Sequence, residues 1–374
     1  MIPYGRQSIN EDDIAAVADV LRGDWLTTGP SVSAFEDAVA RYAGARRAVS
    51  CTSGTAALHI AYAAARIGRD DEVITTPMTF VATASSAMVL GAKIVFADVD
   101  PDTALIDVEQ VRSLAGDRTR AIAGVDYAGQ PIDIDALNQI AHGVGAVTVQ
   151  DAAHSIGSTL DGRPVGSLAD LTTFSFFPTK NMTTAEGGAV VTNDEELGQR
   201  AYEFHFIGLV RDKARMRYPD EGPWHQEVHE PGLNYRLSDV HAALGLSQLR
   251  RLDQFKKRRA EIFARYQEEL ADVDGVRIHT VKEGVDPIWH LYPVRILGGR
   301  RREVFDKMRA NGVGVQVNYI PVYWHPVFED LGYRRGMCPN AEQFYAEEIS
   351  LPVFADLTDD QQSQVIDALR AALR

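Results

Sequence analysis

The stretch Ser175-Phe176-Phe177-Pro178-Thr179-Lys180, continued by Asn181-Met182-Thr183-Thr184-Ala185-Glu186-Gly187-Gly188, sets one lysine between an apolar strand-like run and a glycine pair. About one βα unit upstream, Val147-Thr148-Val149-Gln150-Asp151-Ala152-Ala153-His154 is an apolar run ending in a carboxylate. Outward from these two runs, short apolar segments alternate with amphipathic ones from about residue 46 to 193. That alternation is the pattern of βαβ units around a mostly parallel, buried sheet, so the fold class is α/β. Strands are predicted at 48–50, 72–75, 93–97, 121–125, 146–150, 172–176 and 189–192, roughly seven in one domain. A helix is predicted over 55–67, where Leu58, Ala61, Tyr62 and Ala65 recur at helical spacing.

Downstream the character changes. Leu237, Val240, Ala243, Leu244, Leu246 and Leu249 lead into the charged run Arg250-Arg251-Leu252-Asp253-Gln254-Phe255-Lys256-Lys257-Arg258-Arg259. The spacing predicts one long helix over 236–270 that links two lobes, with the basic run as its solvated face. Beyond it come the apolar runs 276–278, 290–296 and 313–317, a helix over 301–310, and a last helix opened by Thr358-Asp359-Asp360-Gln361 in capping-box form. The expected organisation is a large domain over 1–250 and a smaller α+β domain over 251–374.

With 374 residues and 45% hydrophobic content the chain can bury at least one large core. A formal net charge of -14 argues against a general nucleic-acid binder and against attraction to anionic membranes. An anionic substrate would then need a local basic pocket. Two cysteines, Cys51 and Cys338, are too few for a disulfide scaffold, and no spacing has the form of a metal site. The opening Met1-Ile2-Pro3-Tyr4-Gly5-Arg6-Gln7 lacks the basic and then apolar regions of a secretion signal. No apolar run approaches the roughly 18 residues of a membrane span. The expected compartment is the reducing cytoplasm.

Three groups in this order suit one cofactor. Ser53-Gly54-Thr55 stands where a strand gives way to a helix, so free amides and the positive helix end face whatever lies there, a geometry for phosphate. Ordinary N-capping by Ser or Thr is the plain alternative. Asp151 ends a buried strand, where ligand groups gather in open α/β sheets, and a carboxylate there holds a pyridine nitrogen protonated. Helix capping is its alternative role. Lys180 supplies an amine able to form a Schiff base with an aldehyde and then to shuttle a proton. A pyridinium partner, a phosphate turn and a lysine together hold pyridoxal phosphate. Phe80, just beyond a predicted strand end, suits stacking on the ring or a place in the core. His154 is within reach of the ring's phenolic edge or is a structural histidine.

On these residues the chain resembles the sugar aminotransferases of the DegT/DnrJ/EryC1/StrS family, fold-type I pyridoxal phosphate enzymes related to aspartate aminotransferase. The match runs nearly end to end: Trp25-Leu26-Thr27-Thr28-Gly29-Pro30, Ser53-Gly54-Thr55-Ala56-Ala57-Leu58, Asp71-Glu72-Val73-Ile74, Thr79-Phe80, Asp151-Ala152-Ala153-His154, Lys180 with Thr184-Ala185-Glu186-Gly187-Gly188, Gly232-Leu233-Asn234-Tyr235-Arg236-Leu237, and Ala243-Leu244-Gly245-Leu246-Ser247-Gln248-Leu249. The resemblance implies a large domain with a mixed, mostly parallel seven-stranded sheet. It also implies that Gly54, Thr55 and Ala56 bind phosphate with Ser175, Phe80 stacks on the ring, Asp151 pairs with the pyridine nitrogen and His154 lies near the ring oxygen. Asn234 is similar to an asparagine that reaches the neighbouring subunit's cofactor, which implies a homodimer with shared sites.

Within the family the chain is most similar to enzymes that aminate C4 of a nucleotide-linked 4-keto-6-deoxyhexose, as in the pseudaminic acid pathway. Val125-Asp126-Tyr127-Ala128-Gly129, the run from Thr183 to Asp194, Gln316-Val317-Asn318-Tyr319-Ile320-Pro321-Val322-Tyr323 and Ala346-Glu347-Glu348-Ile349-Ser350-Leu351-Pro352 carry that likeness. One departure is Asn318, where that subgroup has histidine. The expected activity is ping-pong transfer from glutamate or a similar donor to the ketosugar, with Lys180 moving the proton in both halves. Expected substrate contacts are Thr28, Glu186, Arg211 and Tyr319. The loop cations Arg211, Lys213, Arg215 and Arg217 are placed to receive the diphosphate or else are simply solvated. Three rivals remain: a C3 aminotransferase, a dehydratase, whose relatives carry histidine at the lysine position, and a cofactor-binding regulator without turnover. A nicotinamide oxidoreductase would need a Gly-x-Gly-x-x-Gly turn after the first strand, and none is present.

Overall fold

The computed structural model describes residues 1–374. All seven predicted strands form: β1 Arg47–Cys51, β2 Glu72–Thr75, β3 Lys93–Phe96, β4 Thr119–Val125, β5 Val147–Asp151, β6 Leu171–Ser175 and β7 Gly188–Thr192. They make one sheet in the order β1-β7-β6-β5-β4-β2-β3. β7 runs antiparallel to both neighbours and every other pairing is parallel. Each residue of β6 and β7 is buried, as expected where helices cover both faces of a sheet.

The helices that matter for the site follow from local signals. Asn10 closes a capping box on α1, Glu11–Arg22, and Pro30 opens α2, Pro30–Tyr42. Ser53 caps α3, Gly54–Ala64, its hydroxyl accepting from the Ala56 amide at 3.1 Å. α3 ends before the predicted 67 because Arg66 turns into positive φ at 59°. It is apolar nearly all round, with eight of its side chains buried, which suits a helix packed between the sheet and neighbouring helices. α4, Ala82–Val89, follows β2.

A core of 48 buried residues surrounds the large sheet. A second of 22 gathers around a three-stranded antiparallel sheet of β8, Val276–Arg277, β9, Tyr292–Ile296, and β10, Glu348–Leu351. Ile2 belongs to that second core, because the chain start pairs with Gly312 and Gly314 through backbone bonds of 2.7 and 2.8 Å. The last helix carries the expected capping box from Thr358 and Gln361.

Two expectations are corrected. The single helix over 236–270 is two helices, α5 Asp239–Leu249 and α6 Leu252–Leu270. No glycine or proline marks the break. The Gln248 amide and the Arg251 guanidinium both donate to the Ser8 carbonyl, at 2.9 and 3.0 Å, and to the Asp13 carboxylate, so a tertiary clamp on α1 turns the chain there. The basic run is a solvated face only in part: Arg250 and Lys257 are exposed, but the other cations are engaged. The Lys256 ammonium donates to the Gly157 carbonyl at 2.9 Å, Arg258 donates to the Leu357 carbonyl at 2.7 Å, and Arg259, only 2% exposed, donates to the carbonyls of Trp289 and Val353. These side chains satisfy loop carbonyls around the second core that would otherwise be buried without donors. No helix is long and apolar enough to cross a membrane.

Candidate active site

The parallel strands end along one edge of the sheet, and a cleft of about 460 Å³ opens there. Ser53-Gly54-Thr55 follow β1, Phe80 follows β2, Val125 ends β4, Asp151 ends β5, Ser175 ends β6, and Lys180 sits five residues on; all line the cleft. Gly54 is needed for this arrangement. A Cβ there would lie 2.7 Å from the Ser175 Cβ, so only glycine lets the start of α3 approach β6. A Cβ on Gly188 would likewise sit 2.4 Å from the Ser53 carbonyl oxygen.

This packing leaves an array of donors at one end of the cleft. The amides of Gly54 and Thr55, in the first turn of α3, have no partner within the chain, and neither do the Thr55 and Ser175 hydroxyls. The Ala56 amide is already engaged by Ser53, and Ala56 is buried behind the wall. A dianion placed against such a helix start meets aimed N–H groups and the positive end of the helix.

At the other end, Asp151 is 5% exposed. One carboxylate oxygen accepts from the Thr83 hydroxyl of α4 at 2.6 Å, and the other accepts from the Ala153 amide at 3.2 Å. Burial raises its pKa, while these two bonds and the nearby Lys180 pull it back down. The plain alternative of a helix cap does not describe it: its firmest bond joins it to another element, and its chain neighbours form a turn. Lys180 stands half-buried in the same cleft. Burial lowers its pKa to about 8, and the charge of Asp151 works against that shift.

His154 is buried, with its Nε2 3.1 Å from the Tyr319 hydroxyl and its Nδ1 without a partner. Its ring lies between those of His290, at 4.3 Å, and Tyr319, at 6.1 Å. Desolvation and the Lys180 charge both keep it neutral. Phe80 is 58% exposed at the cleft, edge-on to Tyr319 at 6.3 Å, and so is not a core aromatic. Glu186 also lines the cleft.

Other expected residues lie elsewhere in the chain. Asn234 is exposed, in a bridge with Phe206, and does not line its own chain's cleft. Thr28 is exposed at a positive φ of 54° and also lies outside it. Arg211 packs on the Phe206 ring at 4.5 Å and donates to Gln226 at 3.2 Å. Arg215 is paired with Glu203.

The donor array, the bonded carboxylate and the lysine fit pyridoxal phosphate. Comparison with known proteins agrees. The profile of the DegT/DnrJ/EryC1/StrS aminotransferase family matches residues 7–370. The chain belongs to this family.

Among this aminotransferase's relatives is the spore coat polysaccharide biosynthesis protein SpsC of Bacillus subtilis, 38% identical over 99% of this chain and 96% of that one. The UDP-4-amino-4,6-dideoxy-N-acetyl-beta-L-altrosamine transaminase of Campylobacter jejuni is 35% identical over 100% of this chain and 98% of its own. Among solved structures, Spr1654 of Streptococcus pneumoniae in its PMP form superposes with a TM-score of 0.93 at 30% identity, over 100% of this chain and 99% of that one. It matches in its PLP form as well. The aminotransferase's cofactor is pyridoxal phosphate, which when bound supplies an electron sink for the carbon whose proton is moved.

Three residues that line the cleft, and Thr83 buried behind Asp151, escaped the sequence reading as site residues. Thr83 shows only as a small residue in an apolar helix, and His290 sits inside a strand-like run. Gln316 lies on a segment read as an apolar run and as part of the subgroup likeness, but not as a site residue. Tyr4 comes from the far end of the chain, where nothing local announces a pocket.

Proposed function

We propose that this aminotransferase moves an amino group from glutamate, or a similar amino acid, to C4 of a nucleotide-linked 4-keto-6-deoxysugar by a ping-pong cycle. The observation that carries the reading is Lys180 in one cleft with Asp151, its pKa brought down to about 8 by burial, beside a helix start whose donors are free. The C4 position and the nucleotide-linked acceptor rest on likeness to the Campylobacter jejuni transaminase.

In this reading Lys180 would hold the cofactor at rest and, freed by the incoming amine, would carry the proton from the donor's α-carbon to the cofactor in the first half and from the cofactor to the acceptor's former carbonyl carbon in the second. Its lowered pKa leaves about a tenth of the amine unprotonated at pH 7, against less than about a thousandth for an ordinary lysine, and a base must be unprotonated. Gly54, Thr55 and Ser175 hold the phosphate, with Ala56 behind them. Asp151 keeps the ring nitrogen protonated, and Thr83 fixes the carboxylate that does so. His154 and Phe80 bracket the ring. Thr28, Glu186 and Tyr319 touch the sugar, and Asn234 and Arg211 act on a partner subunit's site in a homodimer. Residues 1–250 form the cofactor-binding domain and 251–374 the smaller one, in the cytoplasm.

The test is chemical. The enzyme is incubated with L-glutamate and a UDP-linked 2-acetamido-4-keto-6-deoxyhexose, and the product is read by mass and NMR. Nitrogen at C4 is the expected result. Nitrogen at C3 from a 3-keto isomer, with none at C4, would move the enzyme to the C3 group.

A further inference from the structure

The cleft has a second polar wall that the transfer chemistry above does not use. Tyr4 and Asn318 line it side by side, and the Asn318 amide nitrogen donates to the Tyr4 hydroxyl oxygen at 2.7 Å. The same nitrogen donates to the Ser350 hydroxyl oxygen at 3.1 Å. With Glu348 ionised, above the value of about 8 to which burial raises it, Ser350 only accepts there, because its own proton goes to the Glu348 carboxylate. Glu348 is fully buried and is held on its other oxygen by the Asn318 backbone amide at 2.7 Å. The chain of bonds therefore fixes which way the Asn318 amide faces.

Both protons of the Asn318 amide are used, which leaves its carbonyl oxygen as an acceptor. That oxygen makes no bond in the chain and is not sealed off. The Tyr4 hydroxyl accepts this bond and donates none within the chain, although Ser350 lies close enough to bear on its pKa. Burial raises the Tyr4 pKa well above the usual value, so the hydroxyl remains a donor. The backbone holds it in place: Ile2 pairs with Gly312 and Gly314, and a Cβ on Gly314 would come within 2.9 Å of the Tyr4 nitrogen. An adjacent donor and acceptor on a rigid wall suit a group that carries both, such as a hydroxyl or a secondary amide.

We infer that Tyr4 and Asn318 are specificity-determining residues that read a hydroxyl or acylamino substituent of the sugar acceptor and take no part in the reaction with the amino donor. This rests on the ketosugar reading above. Loss of one directed bond to a substrate group is expected to cost about ten- to a hundredfold in the step that uses it.

The experiment follows the two half-reactions separately, by the visible absorbance of the bound cofactor, in the wild type and Tyr4→Phe holoenzymes. L-glutamate is the donor and the UDP-linked 2-acetamido-4-keto-6-deoxyhexose the acceptor. The work is done at about pH 9, above the value of about 8 to which burial raises Glu348, so that its carboxylate holds Ser350. Expected in Tyr4→Phe is a loss of about ten- to a hundredfold in the ketosugar half, with the glutamate half within about twofold. Ser350→Ala, which frees the Asn318 amide to turn, should show a smaller loss in the same half only. Equal losses in both halves would mean a structural role and overturn the inference, as would a Tyr4→Phe enzyme matching the wild type with the ketosugar. A wild type that exchanges with glutamate yet never reacts with the ketosugar would overturn the acceptor class itself.

Discussion

On one wall of the cleft Ser53, Asp151 and Ser175 stand at or just past the ends of β1, β5 and β6, whereas on the other Tyr4, His290, Asn318 and Tyr319 arrive from the chain start and the last third of the sequence. The first wall is set by the register of a buried parallel sheet, so its groups cannot shift without moving the core. The second is held by side-chain bonds among Tyr4, Asn318, Ser350 and Glu348 and by the ring contacts of His154, His290 and Tyr319. On the function proposed above, the strand-end wall serves the chemistry shared by both half-reactions and the other wall the choice of acceptor. Changes on the strand-end wall should then damage both halves alike, and changes on the far wall only one.

Lys180→Ala should produce the largest effect, with both half-reactions falling by about 10⁴-fold or more in single-turnover absorbance assays. Retention of either half would break the comparison at its base. Asp151→Asn should slow both halves by about 10²- to 10³-fold, since it removes a charge that stabilises the transition state.

The same variant sharpens the electrostatic claim. In the cofactor-free wild type, acylation of Lys180 followed by mass spectrometry should titrate at about 8, against about 10.4 for an ordinary lysine. Burial is the cause, and it disfavours the charged form. The Asp151 charge opposes that shift, so Asp151→Asn should move the midpoint lower still. An unchanged midpoint would mean that the two groups are not coupled. Thr83→Val should have the smallest effect, about tenfold in both halves, through loss of the 2.6 Å bond that orients Asp151. A loss confined to the ketosugar half would place Thr83 with the wrong wall.

The strand-end wall was also the legible one. Each of the seven strands shows as a short apolar run, because a strand buried on both faces leaves no other pattern, and the groups that follow each strand can be read off in order. Asp151, Lys180 and Ser53 could be found that way. The far wall could not. Tyr4 reaches the cleft only because Ile2 pairs with a turn more than three hundred residues away, a contact without local signal. The clamp of Gln248 and Arg251 on Ser8 and Asp13, which splits the expected long helix, is likewise tertiary. Arg259 looked like one more surface cation, and its burial depends on two carbonyls contributed by loops distant in sequence.

The most direct test of the central claim is the visible spectrum of the purified enzyme loaded with pyridoxal phosphate, before and after L-glutamate, beside Lys180→Ala. A wild-type visible band that glutamate converts to the amine form, missing or inert in the variant, is the predicted result. A band that is the same in Lys180→Ala, or that glutamate converts equally well there, would contradict the assignment of Lys180 and the mechanism built on it.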